Sequence, residues 1–352
     1  MSDPVALSDL QRVRGMFLEA AYGDALAAPV EFTRDVAAIR RAYPPAGPGD
    51  IHQGRVTDDT QMMLAVGRAL AQTVVLRGEQ PSLRELLPEL EAALRAEFTE
   101  WLHDPENNRA PGMTCLQACR ALEQKQPWYA ATVRGSKGCG ANMRVQPAAL
   151  IRSQPLRSFV AQFQAAVTHG HPTALAASDL TAQSLRLLLD GTPPAQLLPE
   201  LSRYMAARRQ DQSLWLEPLV AQSPATTSQQ YLQRGWDECQ AVLDLARAAA
   251  ERGIGEHADP CEFTGEGWVA EEALATGLLC FLLHPADPVR ALQCAATTSG
   301  DSDSIACITG SLLGAHLGAG AFPGAWESRI EYHRELEDLA RTLAPRFGAE
   351  EN

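Results

Sequence analysis

The chain has 352 residues, a formal net charge of −13 and 45% hydrophobic residues. It therefore contains enough apolar material for a large core and is not expected to be disordered. The acidic balance argues against a nucleic-acid partner, because phosphates bind to a basic surface.

Helix-favouring residues dominate, whereas β-branched and aromatic residues are sparse. Several stripes of apolar residues keep the spacing of one helix face. In chain order they are Leu10, Val13, Phe17 and Ala21; Leu83, Leu86, Leu90 and Leu94; Leu180, Leu185, Leu188 and Leu189; Trp236, Val242, Leu243 and Leu245; and Ile305, Ile308, Leu312 and Ala315. Turn-rich segments at 44–50, 103–112, 134–144 and 221–230 separate the helices, and none is typical of an interdomain linker. The sequence predicts an all-α protein, one compact multi-helix domain over residues 1–352.

The compartment is predicted from cysteine usage and from the first residues. Eight cysteines occur without a CxxC motif or a disulfide-framework spacing, so we expect reduced, mostly buried thiols. No apolar run approaches the roughly 20 residues of a membrane span, and MSDPVALSDLQRVRG lacks the apolar stretch of a secretory signal. We expect a cytoplasmic protein with no membrane partner.

Two acidic clusters each precede a strongly apolar helix. The first is VTDDTQ at 56–61 and the second is SGDSDS at 299–304. Asp, Ser and Thr are preferred N-cap residues, and Asp58 with Gln61 has the spacing of a capping box, so capping alone would explain either cluster. Each cluster nevertheless carries more oxygen acceptors than a cap requires, beside residues expected to be buried.

A metal site would form if these two helix starts face each other. Four carboxylates and several hydroxyls would then converge. An all-oxygen set suits Mg²⁺, Mn²⁺ or Ca²⁺ and does not suit zinc, and two ions would fit. The positive ends of the two helix dipoles would favour ionised carboxylates.

The segment GDALAAPVE at 23–31 ends an apolar helix. Pro29 is expected to stop that helix, so that Glu31 lies on irregular backbone. Glu31 is either a surface carboxylate or a site residue. Asp24 lies either at a helix end or in a buried hydrogen bond.

Two further segments have an anion-binding or metal-binding interpretation. GSKGCGANMR at 135–144 places closely spaced glycines before a helix, where N–H groups can bind a diphosphate. It lacks the P-loop pattern, and a tight turn is an equally good interpretation. The two histidines of THGHP at 168–172 could ligate a metal but have no matching Cys or His partner, so we expect one to be a hydrogen-bonded core histidine.

In this order, the segments resemble the ADP-ribosylglycohydrolase family, which includes dinitrogenase-reductase-activating glycohydrolase and the ADP-ribosyl-acceptor hydrolases. The matching segments are GDALAAPVEF (23–32), VTDDTQMMLA (56–65), NNRAPGMT (107–114), GSKGCGANMRV (135–145), THGHP (168–172) and SGDSDSIACITGSLLGA (299–315). The pair formed by TDDTQM and by GDSDS before a small-residue helix is specific.

The resemblance implies an orthogonal all-α bundle with two magnesium ions in a cleft. It also implies hydrolysis of the bond between C1″ of ADP-ribose and its acceptor. The implied metal ligands are Thr57, Asp58, Asp59, Asp301, Asp303 and Ser304, with Asp303 bridging the ions. The implied catalytic residues are Glu31, Asp59 and Asp303, with Glu31 as general base, metal-gated lid residue, or both.

The resemblance also implies where ADP-ribose binds. The implied contacts are Gly138, Cys139, Gly140, Asn142 and Met143, with His169 or His171 at the diphosphate. Trp268 would stack on the adenine or pack in the core.

Three departures from the family pattern affect these expectations. Ser304 stands where the family often has threonine, but it keeps the hydroxyl, so the metal site is expected to survive. Ala27 and Ala28 replace a common glycine, which could shift the approach to the ligand. Ala110 stands where some arginine-directed members have an acidic residue, which places arginine specificity in doubt.

The favoured function is a Mg²⁺-dependent hydrolase that acts on an ADP-ribosylated protein or another ADP-ribose conjugate. One alternative is an immunity-type protein that neutralises an ADP-ribosylating toxin by binding, by reversing its modification, or both. Another is a two-metal phosphohydrolase. The acceptor stays open among arginine, serine, a nucleic-acid end and an O-acetyl conjugate.

Overall fold

The computed structural model describes residues 8–73 and 82–348, so residues 1–7, which the signal argument used, lie outside the description. Within these ranges the chain forms helices and connecting segments and no strand; Val133–His169 and Gly138–Val269 are isolated bridges. The α-helices are α1 Asp9–Ala27, α2 Val36–Ala42, α3 Asp58–Ala71, α4 Leu83–His103, α5 Met113–Glu123, α6 Trp128–Ala131, α7 Gln154–Ala166, α8 Pro172–Leu189, α9 Pro194–Arg208, α10 Glu217–Val220, α11 Ser228–Arg252, α12 Cys261–Thr264, α13 Ala270–Leu283, α14 Pro288–Ala295, α15 Ser302–Leu317, α16 Gly324–Glu327 and α17 His333–Gly348. Short 3₁₀ helices span Ala28–Val30, Cys139–Ala141, Gln146–Leu150 and Leu214–Leu216. The predicted all-α class is confirmed.

Helices α1 and α15 form the centre of the bundle and run antiparallel at very close range. A Cβ added to Gly23 would lie 2.0 Å from the carbonyl oxygen of Ala306, and one added to Gly310 would lie 1.9 Å from that of Glu19. Only glycine permits such backbone contact. The last turn of α1 therefore lies beside the first turn of α15.

The remaining long helices pack around this pair. α8, α13 and α14 pack against α15, and α3 and α17 pack against α1. α4 covers α3, α7 covers α8, and α11 lies on α8 and α13. The result is that the starts of α3 and α15, far apart in sequence, both reach the end of α1.

The apolar stripes all lie on helices, as predicted, but three of their members are not core residues. Leu10 is 39% exposed, Leu83 43% and Leu245 53%. Leu10 and Leu83 occupy the first turns of their helices. The predicted loop at 221–230 is too long, because Thr227 caps α11 and helical backbone starts at Ser228.

The eight cysteines are all unpaired, and six of them are buried, which agrees with the expectation of reduced thiols. None of the described helices combines the length and the apolar character that crossing a bilayer requires.

The contact between α1 and α15 can be tested with Gly23→Ala. The added Cβ has no space beside Ala306, so the free energy of unfolding should fall by about 1–3 kcal/mol, as overpacking typically causes. Urea denaturation measures this change. Gly324→Ala is the matched control, because a Cβ there meets no heavy atom within 4 Å and should change stability by no more than about 0.5 kcal/mol. Equal effects of the two substitutions would contradict the close approach.

Candidate active site

The start of α3 is capped by Thr57. Its hydroxyl accepts a hydrogen bond from the Asp59 N–H at 3.3 Å. The capping box predicted for Asp58 and Gln61 is wrong, because the Gln61 side chain instead donates to the Glu106 carbonyl and the Tyr332 hydroxyl. Asp58 and Asp59 are buried in the first helical turn, and neither carboxylate is used for capping.

Asp24 fixes this helix start against the end of α1. Its carboxylate is fully buried and accepts from the Thr57 N–H at 2.9 Å, the Thr60 N–H at 3.1 Å and the Thr60 hydroxyl at 2.5 Å. Of the two roles considered for Asp24 from sequence, the structure shows the buried hydrogen-bond partner. The sequence analysis did not include Asp24 among the site residues, although its place in the GD motif was a signal.

The start of α15 is arranged differently. Asp301 occupies the N-cap position, but its side chain forms no capping hydrogen bond. Its carboxylate accepts instead from the Cys139 thiol at 2.6 Å, and its N–H donates to the Glu266 carbonyl at 2.8 Å. A Cβ on Gly300 would lie 1.8 Å from that carbonyl oxygen, so glycine is required where these two segments touch.

The structure brings the two acidic helix starts together. Burial and then the Asp303 carboxylate raise the pKa of Asp24 to about 7 and that of Asp58 to about 8. The same two causes raise the pKa of Asp59 and of Asp301 well above the ordinary range. Buried carboxylates that repel one another in this way hold their charge only when a cation compensates it.

Glu31 faces the same cluster. α1 ends at Ala27, and a 3₁₀ turn over Ala28–Val30 leads into Glu31, as Pro29 predicted. One oxygen of its carboxylate lies with one oxygen each of Asp301 and Asp303 in a group whose three atoms are all within 4.8 Å of one another. Burial and then Asp303 raise the pKa of Glu31 to about 9. The alternative of a surface carboxylate does not fit this position.

The donor set fits a hard divalent cation. Asp59 Oδ2 and Asp303 Oδ1 are buried and have no hydrogen-bond partner. The hydroxyls of Thr57 and Ser304, both nearly inaccessible, belong to the same two helix starts. Carboxylate and hydroxyl oxygens are the ligands that Mg²⁺ and Ca²⁺ prefer. Of the six metal ligands predicted from sequence, Asp301 and Asp303 lie with Glu31 in one group of possible oxygen donors.

The glycine-rich segment is joined to the 266–270 loop. The Cys139 N–H donates to the Trp268 carbonyl at 3.2 Å, and the Ala270 N–H donates to the Lys137 carbonyl at 2.8 Å. The segment passes over His169, and a Cβ on Gly140 would lie 2.9 Å from the Cys115 sulfur. Gly138, Cys139 and Gly140 are all partly exposed. This segment therefore forms one wall of the site, which we call the glycine wall.

Two of the predicted ADP-ribose contacts lie beneath this wall. Asn142 is fully buried, and its side chain donates to the Ala270 carbonyl at 3.1 Å. Met143 is 3% exposed, and its carbonyl accepts from Gln146. Both residues support the segment rather than face an open cleft. Their role as ligand contacts stays a prediction, and both side chains lie where the chain turns inward after Gly140.

The two histidines separate into a core residue and a helix cap. His169 is 2% exposed, its Nδ1 pairs with the Thr168 hydroxyl at 2.8 Å, and burial and then Arg144 lower its pKa to about 3. It is the core histidine, and its contact with the diphosphate stays a prediction. His171 is half-buried and caps α8 through the Thr173 N–H. Neither belongs to a group of potential metal ligands among the described residues.

Trp268 lies at the edge of the site and stacks on Phe32. The ring centroids are 6.3 Å apart with an interplanar angle of 16°, and the Arg34 guanidinium lies 6.0 Å from the indole. Phe32 is 67% exposed. The core alternative for Trp268 is therefore wrong. Sequence analysis missed Phe32, whose only signal was its position next to Glu31.

Cavities adjoin the carboxylates and the glycine wall. One of about 490 Å³ is lined by Glu31, Thr57, Phe32 and Tyr43 among others. Another of about 630 Å³ is lined by Gly135, His171, Arg134 and others. Their volumes are typical of small-molecule sites.

Comparison with known proteins agrees with this architecture. Residues 6–352 match the model of the family described as ADP-ribosylglycohydrolase. The chain is 27% identical to "ADP-ribosylhydrolase ARH3" of Danio rerio, covering 95% of this chain and 90% of the relative. It is 32% identical to "ADP-ribosyl-[dinitrogen reductase] glycohydrolase" of Rhodospirillum rubrum, covering 61% and 69%. A solved structure, "ADP-ribosylglycohydrolase-related protein complex", has the same fold with a TM-score of 0.66 at 24% identity, covering 96% of this chain and 98% of its own.

The role of Asp24 can be tested with Asp24→Asn. The amide cannot accept all three hydrogen bonds that hold the α3 start, so Mg²⁺ affinity measured by calorimetry should fall by about 10–100-fold, as is typical when a supporting residue is lost. Asp35→Asn is the control, because Asp35 caps the exposed start of α2. Unchanged Mg²⁺ affinity in Asp24→Asn would contradict this role.

The burial of His169 predicts a dependence of stability on pH. The folded-state pKa of about 3 lies below the unfolded value of 6.5, so the stability is complete above pH 6.5 and is lost as the pH falls towards 3. Between pH 7 and pH 5 this linkage lowers the free energy of unfolding by about 2 kcal/mol.

Urea denaturation at both pH values, for the wild type and for His169→Gln, measures this contribution. The wild type should lose more stability than His169→Gln. An equal loss would show that His169 is not held neutral in the fold.

Proposed function

The chain belongs to the ADP-ribosylglycohydrolase family, whose members hydrolyse ADP-ribose linkages, and on this premise we propose that it is a Mg²⁺-dependent hydrolase. It cleaves the bond between C1″ of ADP-ribose and an N- or O-linked acceptor. The observation that carries this proposal is the convergence of buried carboxylates from the starts of α3 and α15 with Glu31 beside them. The substrate is an ADP-ribosylated protein or another ADP-ribose conjugate.

Two Mg²⁺ ions are proposed as the cofactor. The six residues that would hold them are Thr57, Asp58, Asp59, Asp301, Asp303 and Ser304. Bound ions would supply positive charge that orients the ribose hydroxyls and the attacking water. Mn²⁺ or Ca²⁺ would suit the same oxygen donors.

Asp303 has the central position among these residues. After burial, its carboxylate is the main cause of the raised pKa values of Asp24, Asp58, Asp59 and Glu31. A carboxylate in this position suits a bridging ligand between two ions. Asp24 keeps the α3 start in place through its three hydrogen bonds.

Glu31 is proposed as the general base. Bound cations would offset the charge of Asp303 and so lower the raised pKa of Glu31. The ionised Glu31 carboxylate then takes a proton from the water that attacks C1″, while the bond from C1″ to the acceptor breaks and its electron pair leaves with the acceptor, which is protonated from solvent. Nearby carboxylates stabilise the oxocarbenium character that develops at C1″. Glu31 lines the cavity of about 490 Å³, which offers space for the acceptor.

The glycine wall is proposed to hold the ADP-ribose. Gly138, Cys139 and Gly140 lie between the carboxylates and His171. Trp268 supplies an aromatic face at the edge of the wall. The diphosphate would lie along the wall, near the cavity that Arg134 and His171 line.

One assay separates the functions considered. The protein is incubated with an ADP-ribosylated protein and Mg²⁺, and the products are identified by chromatography. Free ADP-ribose supports the proposed hydrolase, and AMP supports a two-metal phosphohydrolase. Tight binding without turnover supports a protein that neutralises an ADP-ribosylating toxin by contact.

The substitution Asp303→Ala should abolish both turnover and the binding of one or both Mg²⁺ ions, because the variant lacks the central carboxylate. Turnover is measured as ADP-ribose release and ion binding by calorimetry. Wild-type turnover in this variant would refute the metal assignment.

The substitution Glu31→Gln should reduce turnover by about 10²–10⁴-fold, the usual contribution of a general base. Mg²⁺ binding should stay close to that of the wild type, because the six proposed ligands are intact. Asp35→Asn, four residues along the chain and exposed, should keep wild-type turnover. An unchanged rate in Glu31→Gln would remove Glu31 from the mechanism.

A further inference from the structure

Three potential metal ligands lie together outside the carboxylate site, where α16 ends and α17 begins. One atom each from Glu327, His333 and Glu337 belongs to a group whose members are all within 4.8 Å of one another. His333 and Glu337 are four residues apart on α17 and therefore share one face of that helix. Neither the proposed hydrolysis nor the proposed Mg²⁺ site uses these residues.

The spacing of the first two ligand atoms suits a small divalent ion. His333 Nε2 is buried and lies 3.3 Å from Glu327 Oε1, but within the described residues it has no hydrogen-bond partner. Zn–N and Zn–O bonds of about 2.1 Å at a tetrahedral angle would separate the nitrogen from the oxygen by about 3.4 Å. The two atoms can therefore bind one ion with little movement.

The third ligand is held firmly in place. Glu337 is 3% exposed, and the Arg14 Nε–H lies 2.8 and 2.9 Å from its two oxygens. Arg341 donates to Glu337 Oε2 at 3.0 Å. A carboxylate has about four lone-pair positions, so Glu337 Oε1 keeps one for a metal ion.

A separate observation on α1 also points to a cation in this region. Glu19 is 1% exposed, and in the part of the chain that the structure describes neither of its carboxylate oxygens has a hydrogen-bond partner. It lines a cavity of about 130 Å³ together with Arg14 and Glu327. A buried carboxylate is unfavourable unless positive charge lies nearby. Because Arg14 is already paired with Glu337, a further cation would compensate Glu19 and Glu327.

We propose that Glu327, His333 and Glu337 bind Zn²⁺ at a second metal site, with water as the fourth ligand. One imidazole and two carboxylates suit Zn²⁺, whereas Mg²⁺ prefers a shell of oxygen atoms. The side chains of Glu327 and His333 are 49% and 32% exposed, so the ion and the water can enter from solvent.

This second site is separate from the carboxylate site. Arg14, which contacts Glu337, precedes Asp24 by ten residues on α1, a distance of about 15 Å along the helix axis. The inference therefore does not depend on the proposed hydrolase function.

A bound ion would also hold the segment 328–332, which connects Glu327 to His333. Within it, the Glu331 carboxylate accepts from the Val56 N–H at 3.2 Å, and the Glu331 N–H donates to the Gly54 carbonyl at 2.9 Å. An ion bound at both ends of this segment would oppose its local opening. Zn²⁺ should therefore protect the amides of Val56 and Glu331 from hydrogen exchange.

Zn²⁺ is the probe, and calorimetry in the presence of excess Mg²⁺ counts the ions that the full chain binds. The wild type should bind one more Zn²⁺ ion than His333→Gln. Where binding to the variant is still measurable, its affinity should fall by more than the roughly 10–100-fold that loss of a supporting residue causes. Glu327→Gln changes a half-exposed side chain and should show the same loss, which guards against a folding defect in His333→Gln.

His103→Gln is the matched control. His103 Nε2 lies 2.6 Å from Glu123 Oε1 and is exposed, but among the described residues it belongs to no group of three potential ligands. This variant should bind as many Zn²⁺ ions as the wild type. Equal Zn²⁺ uptake by the wild type, His333→Gln and Glu327→Gln would overturn the proposal, and so would uptake that only Asp303→Ala removes.

Hydrogen exchange gives a readout that does not depend on counting ions. With Zn²⁺ at ten times its dissociation constant, exchange of the Val56 and Glu331 amides should slow about tenfold in the wild type. It should not slow in His333→Gln. Equal slowing in both proteins would assign the effect to Zn²⁺ bound elsewhere and would overturn the proposal. A wild type that binds this ion but releases no ADP-ribose would refute the proposed function and leave the second site standing.

Discussion

The site depends on one costly interaction, the shared burial of carboxylates that repel each other. The starts of α3 and α15 place Asp58, Asp59, Asp301 and Asp303 in one pocket at no more than 5% exposure each. Isolated buried charges of this kind are strongly unfavourable. The surrounding backbone holds these side chains close together. Glycine contacts fix α1 against α15, and the hydrogen bonds of Asp24 fix α1 against α3. Such a pocket is stabilised when a cation offsets its charge.

The two sides of the pocket differ in how firmly they are held. The side that carries the six proposed metal ligands belongs to the starts of the long helices α3 and α15. The hydrogen bonds of the buried Asp24 hold the α3 start in place. Glu31 follows a short 3₁₀ turn, and the next residue, Phe32, reaches the rest of the site mainly through its stacking on Trp268. Local contacts of this kind open at a low free-energy cost compared with core helices. The group proposed for proton transfer is therefore on the more adjustable side of the pocket.

Local sequence patterns predicted the elements well, because they depend on neighbours in the chain. The helical stripes, the helix stop at Pro29, and a core histidine in THGHP all follow from spacing and residue type. The acidic helix starts could be recognised as candidates, since they carry more oxygens than a cap needs. That they meet could be expected only from the family resemblance. Contact between segments about 240 residues apart is decided by the packing of α1 on α15, which no local pattern describes.

The errors arise where tertiary contacts decide the role of a side chain. Thr57 takes the cap that Asp58 was expected to provide, because Asp24 fixes the Thr57 N–H. Asn142 and Met143 look like part of an exposed loop in sequence, but the chain turns into the core after Gly140. Leu245 repeats with helical spacing and yet faces away from its neighbours. Burial at these positions depends on what packs above them.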